Sequence, residues 1–178
     1  MENIRKFLIF AIVVLSTLGG FQIKHDLDRE NEVVVKRVSL IHKIATDFKV
    51  SKKDAELYVT QAYDLGKSHQ VEPTLLLAIM AVESSFNENA ISEGGAMGLM
   101  QVMPMIHREK LEVYGELDVV WNPVVNIAVG TSIIREYLMR AKGDPVKALQ
   151  AYNGNRNSVK YAVKVLTAKA RFEEALQA

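Results

Sequence analysis

The residue with the clearest capacity for chemistry is Glu83, an acid that ends a run of apolar residues. Ile79 and Leu76 precede it by four and seven positions, and this spacing puts all three on one face of a helix. A carboxylate on an apolar face is costly to desolvate, so such a residue is paired, protonated or functional. If its surroundings keep it protonated near neutral pH, it can donate a proton to a leaving group.

Cleavage of a glycosidic bond needs an acid of this kind, usually together with a second carboxylate. Other acids lie nearby in the sequence, but none has the apolar context of Glu83 and spacing alone nominates no partner: Glu88, Glu93, Glu109 and Asp118. From the residues alone, Glu83 therefore remains either a catalytic acid or a core glutamate paired with an arginine or a lysine.

Composition narrows the classes of function. The chain has 178 residues, 22 of them basic and 21 acidic, with a net charge of +1, and it has no long basic patch with interleaved aromatic residues. We therefore predict no nucleic-acid partner. With no cysteines and four dispersed histidines, we predict neither a metal site nor a cofactor.

The N-terminal residues predict export. A twelve-residue apolar run, residues 7–18, follows two basic side chains and is closed by small residues, as in a signal peptide. Extended to residue 23 it is marginally long enough to cross a bilayer. We therefore predict that residues 1–23 are a cleaved signal peptide or a retained membrane anchor, with a buried first helix of the fold as the remaining alternative. Residues 24–49 are predicted to be a linker and first helix. Either of the first two interpretations places the rest in the periplasm or cell envelope, anchored to the inner membrane if the segment is retained.

The elements that must position Glu83 are helices. Residues 50–178 predict one all-α domain, because helical periodicity recurs throughout and no period-2 run is convincing. Helix starts are expected at Ser51, Pro73, Asn122-Pro123 and Asp144-Pro145. We also expect a helix from Pro104 to about Glu116, and a last helix over residues 158–176 that buries a face made of Val159, Ala162, Val163, Leu166 and Ala170.

Four short motifs make the chain recognisable. They are Glu83-Ser84, the block Gly98 to Gln101, Asn122-Pro123 with Asn126 and Gly130, and the triplet Ala151 to Asn153. In the order and spacing of these motifs the sequence resembles the Slt-type lytic transglycosylases of the lysozyme-like superfamily, which cleave bacterial peptidoglycan. The resemblance covers roughly residues 50–170. The chain departs from the family pattern after this triplet, at residues 154–158, where the family usually has a Gly-Pro-Gly-like turn.

The resemblance implies a compact lysozyme-like helical fold and a set of site residues. Glu83 corresponds to the single catalytic acid, which also acts as the base, and Ser92 to a serine close to it. The remaining positions correspond to residues that bind the saccharide: Gln101, Met103, Tyr152 and Asn153.

The implied reaction cleaves the β-1,4 bond between N-acetylmuramic acid and N-acetylglucosamine and forms a 1,6-anhydro sugar. The implied partner is a peptidoglycan glycan strand, bound by a monomer. Two alternatives stay open: a muramidase that uses water, and a catalytically silent protein that binds peptidoglycan or serves in assembly. The setting also stays open between wall turnover, an envelope-spanning secretion or pilus machine, and a phage-like particle.

Overall fold

The computed structural model describes residues 33–155 and 157–177, and in these ranges the chain is helical with no named strand. The predicted signal peptide or anchor, residues 1–23, lies outside the described residues. The chain divides into the units Met1–Val38 and Ser39–Ala178, and the site described below lies in the second. None of the helices in the described part combines the length and the apolar composition needed to cross a bilayer.

The all-α prediction is confirmed by seven α-helices and one short 3-10 helix in the described residues. Residues 33–48 form α1, of which residues 39–48 belong to the second unit. The others are α2 (Lys52–His69), α3 (Pro73–Glu83), α4 (Arg108–Leu111), a 3-10 helix (Leu117–Trp121), α5 (Pro123–Arg140), α6 (Pro145–Tyr152) and α7 (Lys160–Glu174).

Helix α3 is the centre of the core. Pro73 occupies its first turn, where a missing N–H costs nothing, and every residue from Thr74 to Ala81 is buried. A helix that is apolar all round must be covered on all sides, and α3 packs against both α2 and α7. Full burial ends at Ala81, and Glu83, the last residue of the helix, is partly buried at the edge of the core.

Local capping fixes where the surrounding helices begin. The Ser51 hydroxyl accepts a hydrogen bond from the backbone N–H of Asp54 (3.1 Å) at the start of α2. The Asn122 side chain accepts from the N–H of Val124 (2.9 Å) at the start of α5, and Asp144 caps α6 in the same way. These side chains satisfy N–H groups that have no partner inside the helix.

One buried side chain, Asn126 of α5, holds the loop between α3 and α4. Its Oδ1 accepts from the N–H of Met100 (2.8 Å), and its Nδ2 donates to the carbonyl oxygens of Met97 (2.9 Å) and Val120 (3.0 Å). Gly98 makes this approach possible, because a Cβ there would lie 2.3 Å from Asn126 Nδ2. The loop therefore has a fixed shape although it contains no regular strand.

Two predicted elements differ from the structure. The helix expected from Pro104 to Glu116 is reduced to the four residues of α4. Met105, Ile106 and Val113, which flank it, are exposed. A longer helix would therefore present apolar side chains that no neighbouring element covers. In α7 the buried residues are Ala162, Val165 and Phe172.

The expected buried face of the last helix is therefore partly wrong. Val159 and Val163 are 52% and 57% exposed. The helix is rotated relative to the prediction, and this rotation turns Tyr161 toward the end of α3, where its hydroxyl contacts Glu83.

We predict that Asn126→Ala lowers the free energy of unfolding by about 3 kcal/mol, since it removes the partner of the buried Met100 N–H and the side-chain donor to the carbonyl groups of Val120 and Met97, of which Met97 still accepts from the N–H of Val102. Chemical denaturation measures the change. Asn122→Ala is the matched control, because it removes only the cap of α5 and should cost about 1 kcal/mol. Equal costs for the two variants would contradict the role given to Asn126.

Candidate active site

Glu83 lies at the junction of the core and the surface. It is partly buried, and the Tyr161 hydroxyl donates a hydrogen bond to its Oε1 (2.6 Å). Burial raises the pKa of the Glu83 carboxyl above its ordinary value, and the hydrogen bond from Tyr161 opposes that shift. Oε2 has no hydrogen-bond partner among the described residues.

In the described residues, Glu83 does not form the core ion pair that the sequence left open. Within residues 33–155 and 157–177, no lysine or arginine forms a salt bridge with it. Glu88, the nearest acid in the sequence, instead accepts a hydrogen bond from the Tyr58 hydroxyl (3.1 Å). A carboxyl raised in pKa by desolvation, with no cation beside it, has the properties of a general acid.

Two tyrosines face the acid, and both remain neutral donors. Burial raises the pKa of Tyr161 and of Tyr152, and the nearby charge of Glu83 raises both further. The Tyr152 hydroxyl donates to the carbonyl oxygen of Met100 (2.8 Å). Tyr152 thereby connects the end of α6 to the loop that Asn126 holds from its other side.

The backbone after Glu83 is unusual. Ser84 ties the end of α3 to the loop, since its hydroxyl contacts the carbonyl oxygens of Met80 (3.0 Å) and Leu99 (2.8 Å). Ser85 and Phe86 then have φ values of 51° and 60°, which are uncommon for residues with a Cβ. Phe86 is buried and its ring stacks on that of Tyr58. Packing thus offsets the strain that turns the chain away from the acid.

Two other predicted site residues, Gln101 and Ser92, lie in the loop between α3 and α4. Gln101, with φ of 49°, donates from Nε2 to the carbonyl oxygens of Ala90 (3.1 Å) and Gly98 (3.0 Å). The Ser92 hydroxyl is exposed and accepts from the N–H of Ala96 (3.0 Å). These bonds stabilise the shape of the loop. The binding of saccharide by Gln101 and Ser92 stays a prediction.

Met103 and Asn153 occupy two different places. Met103 lines an apolar cavity of about 420 Å³, together with Met97, Pro104, Leu117, Val120 and Trp121. Asn153 is exposed at the C-terminal cap of α6, directly after Tyr152. Beyond it, the N–H of Asn157 donates to Asn155 Oδ1 (3.2 Å).

The geometry brings together Glu83 and Tyr152 from the predicted set and adds Tyr161, which the sequence reasoning missed. A signal was present, because Tyr161 lies four residues before Val165 and so shares its helix face. The described residues contain no cluster of three or more His, Asp or Glu side chains that would hold a metal ion. The arrangement suits proton transfer by one acid with neutral hydroxyl donors beside it.

The comparisons with known proteins agree on one family. The family model described as "Transglycosylase SLT domain" matches residues 62–174. The membrane-bound lytic murein transglycosylase C of Actinobacillus pleuropneumoniae serotype 5b is 31% identical over 118 residues, which are 59% of this chain and 32% of that protein. The chain thus spans about a third of that relative's length.

Two further relatives extend the likeness. The membrane-bound lytic murein transglycosylase E of Buchnera aphidicola subsp. Baizongia pistaciae is 33% identical over 141 residues, 73% of this chain and 61% of that protein. Among solved structures, an inactive Glu-to-Gln mutant of lytic transglycosylase Slt from Pseudomonas aeruginosa superposes with a TM-score of 0.51 at 26% identity, covering 66% of this chain and 21% of that one. Since the family model covers more than half of the residues, this chain belongs to the transglycosylase SLT domain family.

Proposed function

We propose that this protein is a peptidoglycan lytic transglycosylase. Its reaction cleaves the β-1,4 bond between N-acetylmuramic acid and N-acetylglucosamine and leaves a 1,6-anhydro sugar. The observation that carries the proposal is the environment of Glu83, where burial raises the pKa and the Tyr161 hydroxyl bonds to one carboxyl oxygen. Relatives that are named lytic murein transglycosylases support the same substrate class.

In the first step, protonated Glu83 donates its proton to the glycosidic oxygen as the bond from that oxygen to C1 breaks. The positive charge that develops at C1 is stabilised by the acetamido oxygen of the substrate itself. A second carboxylate is then not required, which agrees with a site where no other acid bonds to Glu83 in the described part of the chain. The Tyr161 hydroxyl stabilises the carboxylate that the first step leaves.

In the second step, the Glu83 carboxylate takes the proton of the C6 hydroxyl of the same muramyl residue, and O6 bonds to C1. The acid is thereby regenerated and no water is consumed. Intramolecular attack benefits from a high effective concentration, provided that water is kept away from C1. The apolar residues of α3 and of the methionine-containing loop support such exclusion.

The products separate this reaction from its alternatives. Purified full-length protein would be incubated with peptidoglycan and the soluble fragments identified by mass spectrometry. Anhydromuropeptides support the proposal, and reducing-end muropeptides would make the protein a hydrolytic muramidase. Release of no fragments at any pH, with binding retained, would make it a silent binder.

We predict that Glu83→Gln reduces the rate of product release by about 10³-fold or more, because it removes both the proton donor and the later base. The matched control is Glu88→Gln, an acid five positions away whose partner is Tyr58. That control should keep nearly full activity. Full turnover by the Glu83→Gln protein would refute the assignment of the acid.

We also predict that Tyr161→Phe moves the alkaline limb of the pH profile of kcat/KM to higher pH. The acid works while Glu83 is protonated, so the rate falls as pH rises through its pKa. The Tyr161 hydroxyl lowers that pKa by favouring the carboxylate, and its removal lets the pKa rise further.

Tyr58→Phe is the control for this measurement, since it removes an equivalent hydroxyl that bonds to Glu88 instead. Its alkaline limb should coincide with that of the unmodified protein. A limb that stays in place, or moves to lower pH, in Tyr161→Phe would show that Tyr161 does not tune the acid.

The place of action we propose is the cell envelope, where the substrate lies. The apolar run at residues 7–18 supports export, and the names of two relatives include "membrane-bound". Alkaline phosphatase fused after residue 49 should be active in cells and inactive when residues 1–23 are deleted. Activity that does not depend on those residues would remove this part of the proposal.

A further inference from the structure

Helix α7 has an apolar stripe that the packing of the domain leaves uncovered. The helix buries Ala162, Val165 and Phe172, whereas Val159 and Val163 are both more than half exposed. These two valines are four residues apart and therefore lie on one side of the helix, away from the buried face. They contribute neither to the core nor to the proton transfers proposed above.

A basic stripe lies beside the two valines. Lys160, Lys164 and Arg171 are exposed, and their spacing of four and seven residues places them on one side of α7. None of these three side chains forms a salt bridge with another described residue. Lys169, on the inner side of the helix, instead bonds to one glutamate before α3 (2.6 Å) and another within α7 (2.5 Å).

The exposed side of α7 is therefore positively charged, although the whole chain has a net charge of only +1. Of the two acids in this helix, Glu173 is bonded to Lys169, and Glu174 alone stays on the exposed side. Lysine and arginine side chains next to exposed apolar ones are typical of a helix that lies on a membrane surface. The cations bind anionic head groups there, and the apolar side chains reach the acyl boundary.

The N-terminal sequence favours a membrane over an acidic protein as the partner of this surface. The apolar segment predicted to be a signal peptide or an anchor, residues 7–23, would hold the domain beside a bilayer if it is retained. Three cations bind a membrane only weakly by themselves. A tether raises their effective concentration at the lipid surface, so a weak patch is then sufficient.

We propose that the exposed side of α7 docks on a membrane surface that contains anionic phospholipids. We call this surface the docking face, and its residues are Val159, Lys160, Val163, Lys164 and Arg171. The inference does not depend on the reaction at Glu83. Tyr161 points to the inner side of the same helix, where it bonds to Glu83, so docking leaves that bond in place.

The first test places a fluorophore on the docking face. The chain has no cysteine, so full-length Val163→Cys protein can be labelled at one position with an environment-sensitive dye. The labelled protein is mixed with vesicles of phosphatidylcholine, with or without an equal part of phosphatidylglycerol. The emission should move to shorter wavelength with phosphatidylglycerol alone, and added salt should reverse the shift.

The matched control is Val113→Cys, which places the same dye at another exposed valine, outside the docking face. Its emission should be the same with both kinds of vesicle. A membrane anchor in residues 7–23 would bring both labelled proteins to the bilayer. A difference between the two labels therefore reports on the docking face and not on the anchor.

The second test removes the charge of the docking face. The triple variant Lys160→Gln, Lys164→Gln and Arg171→Gln, made in the labelled Val163→Cys protein, should lose the shift that depends on phosphatidylglycerol. It should unfold at the same temperature as its parent, because the three side chains are exposed and form no salt bridge with the described residues.

A second triple variant controls for net charge. Lys52→Gln, Lys53→Gln and Lys67→Gln remove three exposed cations of α2 and should keep the shift. The proposal is overturned if the Val163 label does not respond to phosphatidylglycerol, or if the Val113 label responds equally. A shift that survives in the α7 triple variant also overturns it. So does a larger shift with suspended peptidoglycan than with vesicles, which would assign the face to acidic stem peptides.

Discussion

The buried amide of Asn126 is the interaction on which the arrangement of the site depends. Its three hydrogen bonds reach the loop at Met97 and Met100 and the 3-10 helix at Val120. The carbonyl group of Met100 in turn accepts from Tyr152. A single buried polar group therefore sets the loop, the cavity wall and one of the tyrosines near Glu83, because a buried network is rigid only when each of its members is satisfied.

The partial burial of Glu83 beside this loop lowers the stability of the fold when the carboxyl is ionised, and it also raises the pKa on which acid catalysis depends. Its folded-state pKa is raised, so the carboxyl contributes to stability while it is protonated and loses that contribution as pH rises through the raised pKa. The Tyr161 hydroxyl limits the loss by stabilising the carboxylate. Burial therefore favours the protonated form of this acid, while the hydrogen bond from Tyr161 favours its carboxylate.

Helix caps and apolar periodicity predicted most of the helices of this structure. Contacts between residues far apart in the sequence could not be predicted in this way. Asn122 and Asp144 predict the starts of their helices, because an N-cap is recognised from the three residues that follow it. Glu83 was identified because the apolar residues on its helix face lie in the two preceding turns. Tyr161 was missed because it meets Glu83 across 78 positions. The apolar cavity that Met103 lines was equally out of reach, since it exists only once the loop and the 3-10 helix are packed together.

The separation of these residues along the chain also affects the stage of folding at which Glu83 gains its hydrogen-bond partner. The bond between Tyr152 and Met100 joins positions 52 apart, and the bond between Tyr161 and Glu83 joins positions farther apart still. Contacts of this length form late in folding, because loop-closure entropy is lost before the packing gain is realised. Helix α3 can form early, but its carboxyl gains its partner only when the last helix docks. Before α7 docks, the Glu83 carboxyl therefore lacks the hydrogen bond from Tyr161 that lowers its pKa.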